Sequence, residues 1–195
     1  MIPLRAVREE TVWQRVVSID QALLLAVRRL ESVAMTRLMR TLTRLGDTST
    51  WVVVGLALIA AGGPGPRCAA LLGGGAFLAV ALSQVLKRIC CRTRPSCGMG
   101  GFAALVENPD AFSFPSGHTA AAFGIAVALA GEGDWLGGLV LALAGGIAVS
   151  RVYLGAHYPL DVAAGAVVGV ISGLVARLLL ASVPLLSLLG YAILG

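Results

Sequence analysis

Charge is scarce in this 195-residue chain: 13% of its residues are Asp, Glu, Lys or Arg, against roughly a quarter in a soluble globular domain. Hydrophobic residues make up 57% and mean hydropathy is +0.88, so water is not the main solvent. Aromatic residues are also few. Three Trp, three Tyr and five Phe are scattered through apolar segments, which excludes the stacking platforms of a nucleic-acid-binding surface despite the net charge of +5. Four cysteines are present, with Cys90 and Cys91 adjacent. They lack the spaced pairs of a zinc site and read as membrane-embedded thiols. No metal or cofactor is expected. The stretch from Met1 to Trp13 carries Arg5, Arg8, Glu9 and Glu10 and leads into no short apolar core with a small-residue cleavage site, so no removable signal peptide is expected.

What the chain has instead is long uncharged runs. Five apolar stretches, Thr50 to Gly63, Cys68 to Leu86, Thr119 to Gly131, Trp135 to Val149 and Leu160 to Ala181, predict an all-α, multi-spanning transmembrane bundle of about five to six membrane helices. The tail from Pro184 to Leu194 is apolar but short, and a sixth, partial or re-entrant helix is open there. Ahead of the runs, apolar positions from Asp20 to Leu45 recur at helical spacing beside Arg29, Arg37, Arg40 and Arg44. This pattern predicts an N-terminal amphipathic interfacial segment over residues 1–49, with the bundle over residues 50–195; a helix packed into the bundle is the alternative. Gly165, Gly169 and Gly173 repeat every four residues, the pattern of close helix packing in lipid.

Three polar islands interrupt the apolar runs. The first, Lys87 to Pro95, reads Lys-Arg-Ile-Cys-Cys-Arg-Thr-Arg-Pro. The second, Phe114 to His118, reads Phe-Pro-Ser-Gly-His and opens directly into an apolar run, with Ser116 as a candidate N-cap above free backbone N–H groups. The third runs from Ser150 to Asp161 and holds Arg151, His157 and Asp161. With His157 and Asp161 four apart, a helix starting near His157 stacks them on one face, where the carboxylate can hold the imidazole. Consecutive spanning helices alternate direction, which puts all three islands on one membrane face. Both of the chain's histidines lie in these islands among cations. Together they offer a nucleophile, an orienting carboxylate, a second proton carrier and cations for phosphate oxygens, a set suited to phosphoryl transfer.

Lys87-x6-Arg94-Pro95, Pro115-Ser116-Gly117-His118 and Ser150-Arg151-x5-His157-x3-Asp161 resemble the three-part signature of the type 2 phosphatidic acid phosphatase superfamily. The resemblance implies an integral, multi-pass protein of the bacterial inner membrane that cleaves a lipid phosphate monoester or diphosphate through a phosphohistidine, without a metal. It further implies that His157 attacks phosphorus, Asp161 orients His157, and His118 protonates the leaving alkoxide. Lys87, Arg94 and Arg151 would bind phosphate, with Ser116, Gly117 and Ser150 adding hydrogen bonds. Arg88 and Arg92 fall outside the signature and are expected to face headgroups or water.

Rival readings are a lipid phosphotransferase using the same histidine, a vanadium-binding haloperoxidase, against which hydropathy argues, and a non-catalytic protein that binds anionic lipid. The signature reads phosphate and not the lipid behind it: polyprenyl diphosphate, phosphatidate and phosphatidylglycerophosphate all fit, with a lean toward the first. The arginine-rich N-terminal segment places the site's face in the cytosol by the positive-inside rule, whereas the resemblance implies the outer face for many relatives. Sidedness and oligomeric state stay open.

Overall fold

A computed structural model of the chain describes residues 12–107 and 110–194. Arg5, Arg8 and the rest of the N-terminal stretch before Val12 lie outside the described residues. Among the described residues eight helices follow one another: α1 (Val12–Arg28), α2 (Val33–Leu45), α3 (Thr48–Ala61), α4 (Gly65–Cys90), the single turn α5 (Pro95–Gly98), α6 (Gly117–Leu129), α7 (Asp134–Tyr153) and α8 (Pro159–Leu194). Among the described residues the one β-type pairing is an isolated bridge between Thr93 and Phe112. The expected all-α class is what the fold shows.

Fewer helices than the expected five to six qualify as spans by length and composition among the described residues. Three helical stretches are long and apolar enough to cross a membrane, Gly65–Cys90, Leu136–Tyr153 and Pro159–Ser182, and a fourth results if α2 and α3, bent by 55° at their junction, count as one broken span. The apolar run of α6 forms only 13 residues of helix, which at ~1.5 Å per residue falls well short of a ~30 Å hydrocarbon core. It does not need to face lipid along its length. Nine of its residues, among them Ala120, Ile125 and Leu129, are buried, with α4, α7 and α8 packed around it. The segment from Pro184 to Leu194 continues α8.

The N-terminal segment differs as well. The single helical face anticipated from Asp20 to Leu45 is broken between Arg28 and Val33. Ser32 takes an extended conformation and its hydroxyl accepts from Met35 N at 3.2 Å, so a serine N-cap restarts the helix. Tyr153 Oη, from α7, accepts from Ser32 N at 3.2 Å and pins that break. Both helices dock on the bundle: Leu24 packs with Val152 and Tyr158, and Met39 with Tyr153 and Leu154.

Glycines set the central packing. A Cβ placed on Gly169 would lie 2.4 Å from the Ala120 carbonyl oxygen, on Gly173 2.6 Å from that of Gly124, and on Gly75 2.6 Å from the same Gly124 oxygen. Helices α4, α6 and α8 therefore meet backbone to backbone, as the four-residue glycine repeat predicts. Gly138, in contrast, meets nothing within 4 Å. We expect Gly169→Leu to lower stability in detergent by ~1–3 kcal/mol through overpacking, while Gly138→Ala leaves it unchanged or raised. Thermal unfolding by fluorescence checks this; coincident curves for Gly169→Leu and the unsubstituted chain would show that no such close approach exists.

Candidate active site

The close packing of α4, α6 and α8 brings the three polar islands together at one end of the bundle. They enclose a cavity of about 270 Å³ lined by Lys87, Arg94, Gly117, His118, Arg151 and His157. Three of the expected residues stand behind this wall. Ser116 is the N-cap residue of α6 but makes no side-chain cap bond; its hydroxyl accepts instead from Thr119 Oγ1 at 3.0 Å. Ser150 is fully buried and donates to the Ile147 carbonyl on its own helix at 2.6 Å. Asp161 is fully buried beneath His157.

The geometry around His157 fixes its tautomer. Its Nδ1 lies 2.7 Å from the Ser113 carbonyl oxygen. A carbonyl only accepts, so Nδ1 carries the hydrogen and the neutral ring keeps its lone pair on Nε2. That Nε2 is 3.4 Å from Arg94 Nη1, at the cavity. The nearest Asp161 oxygen is 3.8 Å from Nδ1, beyond hydrogen-bond range. Asp161 is engaged elsewhere: Oδ2 accepts from Tyr158 N at 2.9 Å and Oδ1 from Arg92 Nη1 at 2.7 Å. Complete burial is the main reason that the His157 imidazole is pushed down to about 4, with Arg151 and Arg94 acting in the same sense against the opposing pull of Asp161.

Four residues that the sequence reading passed over complete the site. Ser113 is one, held by its own N–H to the Arg92 carbonyl at 2.8 Å. Asp110 is the second. Its carboxylate accepts from Lys87 Nζ at 2.5 Å and forms a further ion pair with Arg94 Nη2. Partial burial raises the Asp110 pKa, but the bonds from Lys87 and Arg94 outweigh it and hold the carboxyl below its usual range. Asp47, at the N-cap of α3, is the third, with Oδ1 3.0 Å from His118 Nε2. Asp20 of α1 is the fourth, 1% exposed, accepting from Arg92 Nη2 at 2.6 Å and from Leu160 N at 2.9 Å.

Arg92, anticipated to face headgroups or water, turns most of its side chain inward and is left 19% exposed. It bridges Asp20 and Asp161 and stacks over the Tyr158 ring at 4.1 Å. Burial works against its charge, but Asp161 and Asp20 together raise its pKa above the ordinary value. The N-terminal arginines are used internally too: Arg28 donates to Ala103 O at 3.0 Å and Arg40 to Leu105 O at 3.0 Å, strapping the loop that precedes Asp110. Alternation of helix direction is a signal that could have found Asp47, Ser113 and Asp110, since all lie on the islands' side of the bundle; nothing in the local sequence marks Asp20. Among the described residues no group of three His, Cys, Asp or Glu is placed to hold a metal ion.

Chemically, the cavity presents three cations, a neutral imidazole whose Nε2 lone pair faces Arg94, and a second imidazole held by a carboxylate. The sequence profile of the PAP2 superfamily matches residues 69–183. The decaprenylphosphoryl-5-phosphoribose phosphatase of Mycolicibacterium smegmatis is 38% identical over 127 residues, 65% of this chain and 68% of that protein. Its counterpart from Mycobacterium tuberculosis is 39% identical over 101 residues, and there the chain spans only 55% of the relative's length. Among solved structures, LpxE of Aquifex aeolicus superposes with a TM-score of 0.72 at 26% identity, covering 81% of this chain and 94% of that one. A transmembrane PAP2-type phosphatidylglycerolphosphate phosphatase of Bacillus subtilis gives 0.69 at 25% identity, with 87% and 88% covered.

An anion entering the cavity must compete with Asp110 for Lys87 and Arg94. We expect Asp110→Asn to bind orthovanadate or inorganic phosphate about tenfold more tightly, the scale of one charge-assisted hydrogen bond. Titration calorimetry in detergent measures it; weaker binding than in the unsubstituted chain would mean that Asp110 arranges the cations and does not compete for them.

Proposed function

The chain belongs to the PAP2 superfamily, and from that premise we propose that it is an integral membrane lipid phosphatase acting through a phosphohistidine. The observation that carries this reading is the His157 ring, whose Nδ1–H is committed to the Ser113 carbonyl at 2.7 Å, which puts the Nε2 lone pair, 3.4 Å from Arg94 Nη1, at a cavity lined by Lys87, Arg94 and Arg151. In the first half-reaction Nε2 attacks phosphorus, the bond from phosphorus to the leaving oxygen breaks, and His118 passes its proton to that oxygen. In the second, water attacks the phosphohistidine while neutral His118 takes up its proton, the P–N bond breaks and His157 is restored. The three cations stabilise the charge that spreads over the phosphoryl oxygens, the part a metal plays in other phosphoryl-transfer sites. Asp161, at 3.8 Å, acts on His157 through the field of its charge and by shaping the turn that carries it.

The lipid part of the reading rests on an apolar groove of about 720 Å³ between α3 and α4, lined by Trp51, Leu56 and Phe77 among others. It shares Gly46, Thr48, Val80 and Ala121 with the polar cavity, so a tail in the groove leads its headgroup to His157. Phosphorylated polyprenols are the favoured substrates, because the relatives include a decaprenylphosphoryl-5-phosphoribose phosphatase and an undecaprenyl-diphosphatase of Sulfolobus acidocaldarius. The same reading places the chain in a bacterial inner membrane.

The test is phosphate release from polyprenyl diphosphate, phosphatidate and phosphatidylglycerophosphate in EDTA. His157→Ala is expected to abolish release together with any acid-labile phosphoenzyme, and unchanged turnover would sink the nucleophile assignment. His118→Ala should keep measurable phosphoenzyme formation with activated leaving groups of low basicity; equal loss with activated and ordinary esters would remove it as the acid. Because the His157 pKa is pushed down to about 4, the nucleophile stays neutral above that value. Loss of kcat/KM attributable to His157 should therefore set in only as pH falls through about 4, and an acidic limb near the ordinary histidine value that persists in His118→Ala would contradict it.

A further inference from the structure

Beside the phosphate-sized cavity lies a second polar cavity of about 370 Å³ that the chemistry above leaves unused. The two share Asp47, His118 and Arg151. Beyond these, the second is walled by Arg40, Thr43 and Arg44 of α2 and by Glu107. Arg151 stands between the cavities: it is 3% exposed, its Nη1 donates to Thr43 Oγ1 at 2.7 Å, and its Nε is buried with no hydrogen-bond partner. A buried guanidinium nitrogen without a partner is costly and points to an acceptor that arrives from outside the chain.

The balance of charge says what that acceptor is. Arg40 is anchored by its bonds to the Leu105 carbonyl at 3.3 and 3.0 Å but keeps its charge. The Arg44 guanidinium makes no side-chain hydrogen bond or ion pair among the described residues. Two carboxylates face the cavity. Asp47 is already on His118 at 3.0 Å, and Glu107 is exposed and forms no ion pair among the described residues. Three guanidinium groups therefore outnumber one uncommitted carboxylate, and guanidinium forks suit phosphate oxygens above other anions.

We propose that this cavity is a subsite for a second phosphate carried on the leaving-group side of the substrate, with Arg44 and Arg40 as its cations. The inference rests on the phosphatase reading. There His118 gives its proton to the leaving oxygen, so the leaving group begins at His118, where the second cavity also begins. A phosphate a bond or a few bonds beyond that oxygen reaches the α2 arginines, and the remainder of the lipid passes over the turn from Gly46 to Thr48 into the apolar groove. The substrate class is then a lipid whose headgroup holds two phosphates, one transferred and one retained, in preference to a lipid monophosphate.

Two measurements on the full chain in detergent test this. With a prenyl diphosphate and a prenyl monophosphate of equal chain length, Arg44→Gln should raise KM for the diphosphate about tenfold and change the monophosphate by less than about twofold. Equal changes for both lipids, or no change for the diphosphate, overturn the subsite. In the His157→Ala background, calorimetry should show pyrophosphate binding more tightly than inorganic phosphate, with the difference lost on adding Arg44→Gln. A loss confined to inorganic phosphate would assign the cavity to the free product and overturn the proposal. The calorimetric comparison stands even if neither lipid is hydrolysed, a result that would refute the phosphatase reading alone.

Discussion

Guanidinium and ammonium groups held among apolar helices call for a carboxylate or a carbonyl, because charge taken out of water costs several kcal/mol unless it is compensated. The rest of this structure follows from how that demand is met. Arg92 meets it with Asp20, Asp161 and the face of Tyr158; Arg94 with Asp110 and the Ala156 carbonyl; Lys87 with Asp110. Every partner lies outside the segment that carries its cation, so neutralising the charge also assembles the fold. Asp20 shows this most clearly. While one oxygen takes Arg92, the other accepts from Leu160 N, satisfying one of the orphan donors at the start of α8 from a separate helix. Helix α1 is in this way part of the site's foundation.

The same demand explains the state of His157. Asp161 could have held the imidazole directly, but its oxygens are committed to Arg92 and Tyr158 N, and the ring hydrogen goes to the Ser113 carbonyl instead. A neutral acceptor fixes the tautomer without contributing the full charge that would favour the imidazolium. With burial dominating, the ring stays neutral and keeps its lone pair on Nε2. Ser113 can serve because it is itself immobilised: its one hydroxyl hydrogen is shared between the Arg92 and Thr93 carbonyls, and its N–H donates to Arg92 O.

Much of this was legible in the sequence. The apolar runs located the helices, the alternation of their direction brought three distant islands to one end, and the glycine repeat at 165, 169 and 173 located a backbone-to-backbone contact. The islands announced themselves because polar residues are rare in such a chain. What stayed hidden was of two kinds. Asp20, Asp47 and Asp110 are ordinary acidic residues whose meaning comes only from the cations and the histidine they meet across 72, 71 and 16 to 23 positions of sequence, a tertiary fact that no local pattern encodes. The break before Val33 and the shortness of α6 were hidden because hydropathy reports what is apolar, not whether lipid or protein covers it. A helix wrapped by α4, α7 and α8 reads the same as one that spans.

That shortness bears on the site. Helix α6 starts at Gly117, on the cavity wall, and its first turn leaves backbone N–H groups that no helical carbonyl can satisfy. Ser116 occupies the capping position, yet its hydroxyl is spent on Thr119 and caps none of them. Its own N–H is tied to the Asp161 carbonyl at 2.9 Å. Asp161 therefore works twice, through its carboxylate on Arg92 and the Tyr158 turn and through its backbone on the start of α6. If His157 is the nucleophile, the residue beneath it also aims uncapped helix donors at the phosphoryl oxygens. Removing the Asp161 carboxylate would leave that second function in place, since it belongs to the main chain, and this separates what the charge of Asp161 does from what its position does.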